Sequence, residues 1–285
     1  MKVLSDFDLT NYNSYRIKSI CKRAYFPETE GHVITFYKEI KSFVLLGSGH
    51  NVILSKEYYD SNFLIFNGNY QNVSIDENTG LVEAEAGITM LKLSELAHDK
   101  GLSGLEIFYD IPSSLGGAVV MNAGASGEEI KDVLIKVRYL DLEDMTIKEI
   151  ERKDMDFEYR NSFFQRNTNK VILKGWLQLA KKDKTTIREK MELIKQQRWD
   201  KQPKEFPNAG SVFKRPKGYY VGAIIDELNL KGFTIGGAKI SEKHGGFIIN
   251  HNNAKGQDII DIITEVKRRV MERFNVDLEV EQRVI

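Results

Sequence analysis

Apolar residues recur at helical spacing in four stretches of the chain and at alternating or continuous positions in many shorter ones, which predicts a mixed α and β protein. In GHVITFYKEIKS, Val33, Phe36, Tyr37 and Ile40 share one helical face. ITMLKLSELAHDKG is a second helix, with Thr89 placed to cap its start and Gly101 to stop it. KTTIREKMELIKQQRW sets Ile187, Met191 and Ile194 on one side, and GQDIIDIITEVKRRVMERFN does the same with Ile259, Ile263, Val266 and Val270. CKRAYFPE, NFLIFNG, NVSID and LVEAEAG are short β-like runs, and FVLLGSGHNVILS is strand, Gly-rich turn, strand. DVLIKVRYLDLED, MTIKEIER and NKVILKGWLQLAKKD predict meander strands, and the chain closes on strand-like VDLEVEQRVI. These elements divide into an α/β unit over 1–57, a β-rich unit over 58–182 and an α+β unit over 183–277, with 278–285 available to complete the first.

Composition narrows the partners. Lys plus Arg and Asp plus Glu number 41 each in 285 residues. That balance argues against a nucleic-acid or acidic-membrane partner, but it leaves room for a local basic pocket. The N-terminus has no apolar leader core and no apolar run is long enough to span a bilayer, so the expected location is the cytoplasm; a monomer is expected. The single cysteine, Cys21, excludes an internal disulfide and a thiolate cluster. His32, His50, His98, His244 and His251 show no ligand spacing with carboxylates, and no metal is predicted.

Three small-residue segments hold the candidate chemistry. LLGSGHN places Gly47 and Gly49 directly after an apolar strand, where backbone N–H groups can converge on an anion. A dinucleotide fingerprint would need glycine at 52 and a following helix, and Val52 with a following strand excludes it. The loop is then an anion turn or a β-hairpin turn. IPSSLGGAVVMNAGASGEE gathers Gly116, Gly117, Gly124 and Gly127 in a stretch too irregular for one helix. Its small residues let backbone lie against a planar or pyrophosphate-bearing ligand, or against other backbone. FPNAGSVFKRP sets Ser211 between Gly210 and Val212, outside the Gly-x-Ser-x-Gly elbow and with no histidine nearby.

Six blocks in register, LLGSGHNVILS, IPSSLGGAVVMNAGASGEEI, YRNSFF, NAGSVFKRP, GGAKISEKHGGFIIN and LEVEQRVI, resemble the UDP-N-acetylenolpyruvoylglucosamine reductase (MurB) family of peptidoglycan synthesis. The length resembles its type II branch. The resemblance implies an α+β chain: a two-subdomain FAD-binding fold of the vanillyl-alcohol-oxidase type plus a C-terminal α+β substrate domain. It implies non-covalent FAD, NADPH as electron donor, and reduction of an enolpyruvyl ether on a UDP-sugar to UDP-N-acetylmuramate. By matching position, Gly47, Ser48, Gly49, His50 and Asn51 would hold the FAD pyrophosphate, and Ile111, Ser114, Gly117, Asn122 and Gly124 would line the flavin. Arg160 matches the family's active-site arginine, Ser211 its proton donor and Glu281 its C-terminal glutamate. Tyr159, Lys214, Arg215, Lys243 and His244 lie in the same blocks as candidate diphosphate or carboxylate contacts.

These residue types suit the implied reaction. Hydride addition to the terminal carbon of an enolpyruvyl group leaves charge on its neighbour and the carboxylate. An arginine fork matches that charge, and a hydroxyl aimed at the carbanion can supply the proton. A buried, protonated Glu281 would share in stabilising the enol. The chain also departs from the family pattern. Lys18 and Ser19 stand at a usual Gly-Gly, Phe108, Tyr109 and Asp110 at a usual Leu-Ala-Gly, Ser113 at a usual glycine, and Lys239 at a common glutamine. The alternative is therefore a divergent paralogue that binds FAD or a UDP-sugar without this activity, or a flavin enzyme with another substrate.

Overall fold

Apolar alternation in Leu134–Asp141 and Lys170–Gln178 builds the centre of a five-stranded antiparallel sheet in the computed structural model, which describes residues 1–67 and 69–285. The strand order is Thr146–Glu151, Leu134–Asp141, Lys170–Gln178, Leu81–Glu85, Val73–Asp76. Val82, Ala84, Val137, Leu173 and Leu177 are fully buried in it. The predicted meander is thus corrected. Lys170–Gln178 pairs on the far side of Leu134–Asp141 instead of beside Thr146–Glu151, and also borders Leu81–Glu85. Alternation specifies a strand and its buried face, while its neighbours are chosen by long-range packing.

Residue contacts group the chain into two units. One comprises Met1–Val3, Tyr25–Ser48 and Phe63–Gln197, the other Leu4–Ala24, Gly49–Asn62 and Arg198–Ile285. The first holds the five-stranded sheet and the helix Met90–Asp99, whose first turn is capped as expected: Thr89 Oγ1 accepts the Lys92 N–H at 3.2 Å, and Gly101 follows at φ 66°. The helix Glu30–Glu39 is capped by Thr29 and buries Val33, Phe36 and Tyr37, with Ile40 as its C-terminal cap. IPSSLGGAVVMNAGASGEE contains a short helix, Leu115–Met121, which Ser114 begins and left-handed Asn122 (φ 44°) ends.

In the second unit the helix Gly256–Phe274 buries Ile259, Ile262, Ile263, Val266 and Val270 and packs on a three-stranded sheet of Thr234–Ile235, Ala238–Ile240 and Ile248–Asn250. VDLEVEQRVI is mostly extended loop. Only Arg283–Val284 forms a strand, parallel to Val52–Ile53, while Val280 bridges Phe213. This pairing removes the hairpin reading of LLGSGHN. Phe43–Leu46 lies in a sheet beside Tyr58–Ile65, whereas Val52–Ile53 pairs with Arg283–Val284.

Candidate active site

The Gly-rich loop and the small-residue segment meet in the first unit. Ser48 Oγ accepts the Ser114 N–H at 2.9 Å, and a Cβ on Gly47 would lie 2.9 Å from Ser114 Oγ. Ser114 Oγ in turn accepts the Gly117 N–H at 3.2 Å. Leu115 and Gly116 donate to the carbonyls of Ile88 and Ala86, both at 2.9 Å, so the start of this helix is fastened to the strand-end turn at residues 86–88. Gly116 makes the approach close, and a Cβ on it would sit 3.2 Å from that of Ala86. Ile111 packs half-buried on the core. The Ser113 hydroxyl is buried with no hydrogen-bond partner among the described residues.

The rest of the loop belongs to the second unit. Gly49 adopts φ 72°, and a Cβ on it would fall 1.9 Å from the Tyr12 carbonyl oxygen, while its own carbonyl accepts the Ser14 N–H at 3.0 Å. Two further buried polar atoms here, His50 Nδ1 and Ser14 Oγ, have no partner among the described residues. Burial of the imidazole, reinforced by nearby Arg16, pushes the His50 pKa down to about 4. Asn51 Nδ2 donates to the Glu281 carbonyl at 3.0 Å.

Arg160 sits beside two other predicted residues. Its Nη2 donates to the Gly124 carbonyl at 2.7 Å and Nη1 to that of Asn122 at 3.4 Å, with Glu129 Oε1 3.9 Å from Nη1. Fully buried Asn122 donates to Glu129 Oε2 at 2.9 Å and to the Glu158 carbonyl at 3.0 Å. The glycine at 124 is demanded locally, because a Cβ would meet the Glu128 carbonyl oxygen at 2.1 Å. Tyr159 is exposed, with the Arg160 guanidinium 5.1 Å from its ring centre.

Ser211 and Glu281 lie on touching backbone segments of the second unit. The Glu281 N–H donates to the Val212 carbonyl at 2.8 Å, and the Lys214 N–H to that of Glu279 at 2.9 Å. Ser211 is exposed and bridges Phe247, while Val212 and Phe213 are buried. The polar candidates around it are engaged with protein groups. Lys214 pairs with Glu279 at 2.6 Å, the Arg215 guanidinium lies 3.7 Å from the Tyr220 ring centre, and Lys243 donates to the Trp199 carbonyl at 2.7 Å. His244 Nδ1 accepts the Gly246 N–H at 3.1 Å, and burial holds its ring below the usual imidazole value. Sequence reasoning passed over Gln282 and Tyr15, buried residues whose side chains bond to each other at 2.9 Å. The available signal was a glutamine one position out of phase with Glu279 and Glu281, and so facing inward.

The departures resolve into local structure. Lys18 is exposed, and Ser19 is buried and donates to the Lys56 carbonyl at 2.8 Å. Tyr109 donates to Glu192 at 3.1 Å and accepts from Arg188 at 3.2 Å, its ring flanked by Arg188 and Lys195. Lys239 pairs with Glu242 at 3.3 Å.

The residues present fit a flavin dinucleotide. In the first unit Gly47 leaves the loop backbone bare and Ser113 Oγ is a buried polar atom for a ligand; in the second, Gly49 does the same and His50 Nδ1 and Ser14 Oγ are such atoms, each without a partner among the described residues. Residues 22–151 match the model of an FAD binding domain, which makes this an α+β FAD-binding protein. Residues 202–285 match the UDP-N-acetylenolpyruvoylglucosamine reductase C-terminal domain. A UDP-N-acetylenolpyruvoylglucosamine reductase of Francisella tularensis is 41% identical over 97% of this chain and 98% of its own, and one of Bacillus subtilis 34% identical over 100% and 94%. The crystal structure of the Thermus caldophilus reductase (MurB) superposes with a TM-score of 0.81 at 30% identity, covering 99% of this chain and 98% of that one. The chain belongs to the UDP-N-acetylenolpyruvoylglucosamine reductase family.

Proposed function

We propose that this chain reduces the enolpyruvyl ether of a UDP-N-acetylglucosamine to UDP-N-acetylmuramate for peptidoglycan synthesis, with FAD as cofactor and NADPH as electron donor. The observation that carries this reading is the end-to-end match to reductases at 34–41% identity. Bound FAD supplies the hydride chemistry. Gly47, Ser48, Gly49, His50 and Asn51 hold its pyrophosphate, and Ile111, Ser114, Gly117, Asn122 and Gly124 line its ring system. In domain terms, 1–57 with 278–285 and 58–182 form the flavin-binding part, and 183–277 the part that grips the sugar nucleotide.

Arg160 steadies the carboxylate and the charge that develops beside it. Its position is supported by the carbonyls of Asn122 and Gly124, which hold the guanidinium by one edge. Ser211 Oγ gives the proton to the carbon next to the hydride acceptor, and Glu281 stabilises the enol. A shared backbone hydrogen bond through Val212 ties the Ser211 segment to that of Glu281. Tyr159, Lys214, Arg215, Lys243 and His244 contact the diphosphate or the carboxylate of the UDP-sugar.

Anaerobic absorbance tests the assignment. The purified protein is expected to be yellow, bleached by NADPH and recoloured by the enolpyruvyl UDP-sugar. A protein that cannot be loaded with FAD overturns the reading. Ser211→Ala should leave bleaching near normal and slow recolouring strongly, and equal loss in both steps would make Ser211 structural.

A further inference from the structure

The polar pair missed in the sequence lies directly behind the serine loop. Tyr15 is 0% exposed and Gln282 4%. The Tyr15 hydroxyl donates to Gln282 Oε1 at 2.9 Å, and Gln282 Nε2 donates to the carbonyls of Ala209 at 3.1 Å and of Gly210 and Ser211 at 3.4 Å. Both ends of one amide are therefore in use, one on the Asn13–Ile17 loop and one on three successive peptides of the serine loop.

Those peptides need such a fixture. Gly210 has φ 79° and, among the described residues, nothing within 4 Å of where a Cβ would be, and its N–H is held only locally, by Asn208 Oδ1 two residues back at 3.1 Å. A glycine peptide in that region rotates at low cost, and rotation would swing Ser211. The amide opposes this from one side. On the other, the Val212 carbonyl accepts the Glu281 N–H at 2.8 Å and the Val212 N–H donates to Gly246 at 3.0 Å. Tyr15 is itself anchored, since Asn250 Nδ2 donates to its carbonyl at 2.8 Å. An apolar side chain would fill the volume without a buried polar group to satisfy. The amide adds direction to the serine loop, which packing would not.

We propose that Gln282 and Tyr15 are positioning residues that hold the Ser211 loop in register for proton delivery. This rests on the reading of Ser211 as the proton donor.

The test uses the FAD-loaded enzyme with Gln282→Met, Tyr15→Phe and Ser211→Ala, following bleaching by NADPH and recolouring by the enolpyruvyl UDP-sugar separately in stopped flow. Bleaching in the Gln282→Met and Tyr15→Phe variants should stay within about twofold of wild type. Recolouring should slow about tenfold in Gln282→Met and about fivefold in Tyr15→Phe, as expected for losing one or two aligned hydrogen bonds. The substrate KM should move less than about twofold, and Gln282→Met should add less than about twofold in the Ser211→Ala background.

Wild-type recolouring in both single variants, equal loss in both steps, or an undiminished effect in the Ser211→Ala background would each overturn the proposal. If Gln282→Met does not fold, Tyr15→Phe, which removes one oxygen, decides alone. If Ser211→Ala itself recolours at the wild-type rate, the proton-donor reading fails and the pair's role falls with it. A slow Ser211→Ala beside normal Gln282→Met and Tyr15→Phe removes only the pair.

Discussion

Ser48 Oγ accepts the backbone N–H of Ser114 at 2.9 Å, so one hydroxyl joins the Gly-rich loop to the start of the helix Leu115–Met121. Ser48→Ala leaves the N–H of buried Ser114 without that acceptor and loosens two segments assigned to the same cofactor. FAD affinity should fall about fivefold, the equivalent of about 1 kcal/mol for one hydrogen bond. Fluorescence titration of the apoprotein with FAD measures it, and unchanged affinity would refute the link.

Gly49 and Gly127 both have positive φ, 72° and 90°, but only Gly49 is crowded, with the Tyr12 carbonyl oxygen 1.9 Å from a would-be Cβ. Gly49→Ala should cost about 3 kcal/mol, and Gly127→Ala about 1 kcal/mol from backbone strain alone. Urea unfolding of the two variants gives the comparison, and similar losses would show that the close approach at Gly49 can relax.

The depressed His50 pKa of about 4 makes a pH-dependent contribution. Unfolded, the imidazole titrates near 6.5, so between the two values the unfolded chain binds more protons and stability rises with pH. The contribution is complete above about pH 6.5 and is lost as pH falls toward 4. His50→Asn should therefore narrow the difference in unfolding free energy between pH 7 and pH 4.5 by about 1–3 kcal/mol. Paired urea titrations check this, and parallel pH profiles for the two proteins would contradict it.

Asn122 is buried at φ 44° and uses both ends of its amide, donating to Glu129 and the Glu158 carbonyl and accepting from the Lys131 N–H at 3.4 Å. Asn122→Ala should destabilise by about 3 kcal/mol. Asn122→Gly loses the same bonds but none of the backbone tolerance, and should be the more stable of the two by about 1 kcal/mol. Thermal melting gives the order, and an alanine variant at least as stable as the glycine one would exclude the backbone argument.

Local signals were readable where one short segment carries them. Thr89 and Gly101 mark the ends of their helix, and Ile259, Ile263, Val266 and Val270 mark the buried face of another. Pairings between distant strands were not readable, because Lys170–Gln178 and Val52–Ile53 choose their neighbours through packing that no local pattern encodes. Leu115–Met121 was hidden by Gly116 and Gly117, which lower helix propensity and sit where a Cβ would come within 3.2 Å of Ala86 and of Ser114 Oγ. Among candidate site residues, the blocks named positions well but not their supports. Gln282 and Tyr15 are 267 residues apart, and only the fold makes them neighbours.

Arg160 holds a left-handed backbone, φ 53°, in a residue that is not glycine, at a cost of about 1 kcal/mol. A search for hardier versions of this protein will therefore be drawn to that position. Glycine or asparagine there relaxes the main chain but gives up the guanidinium and its bonds to the Asn122 and Gly124 carbonyls. Selection on heat resistance alone is blind to whatever the guanidinium does in turnover, so any stabilising campaign must score turnover alongside melting.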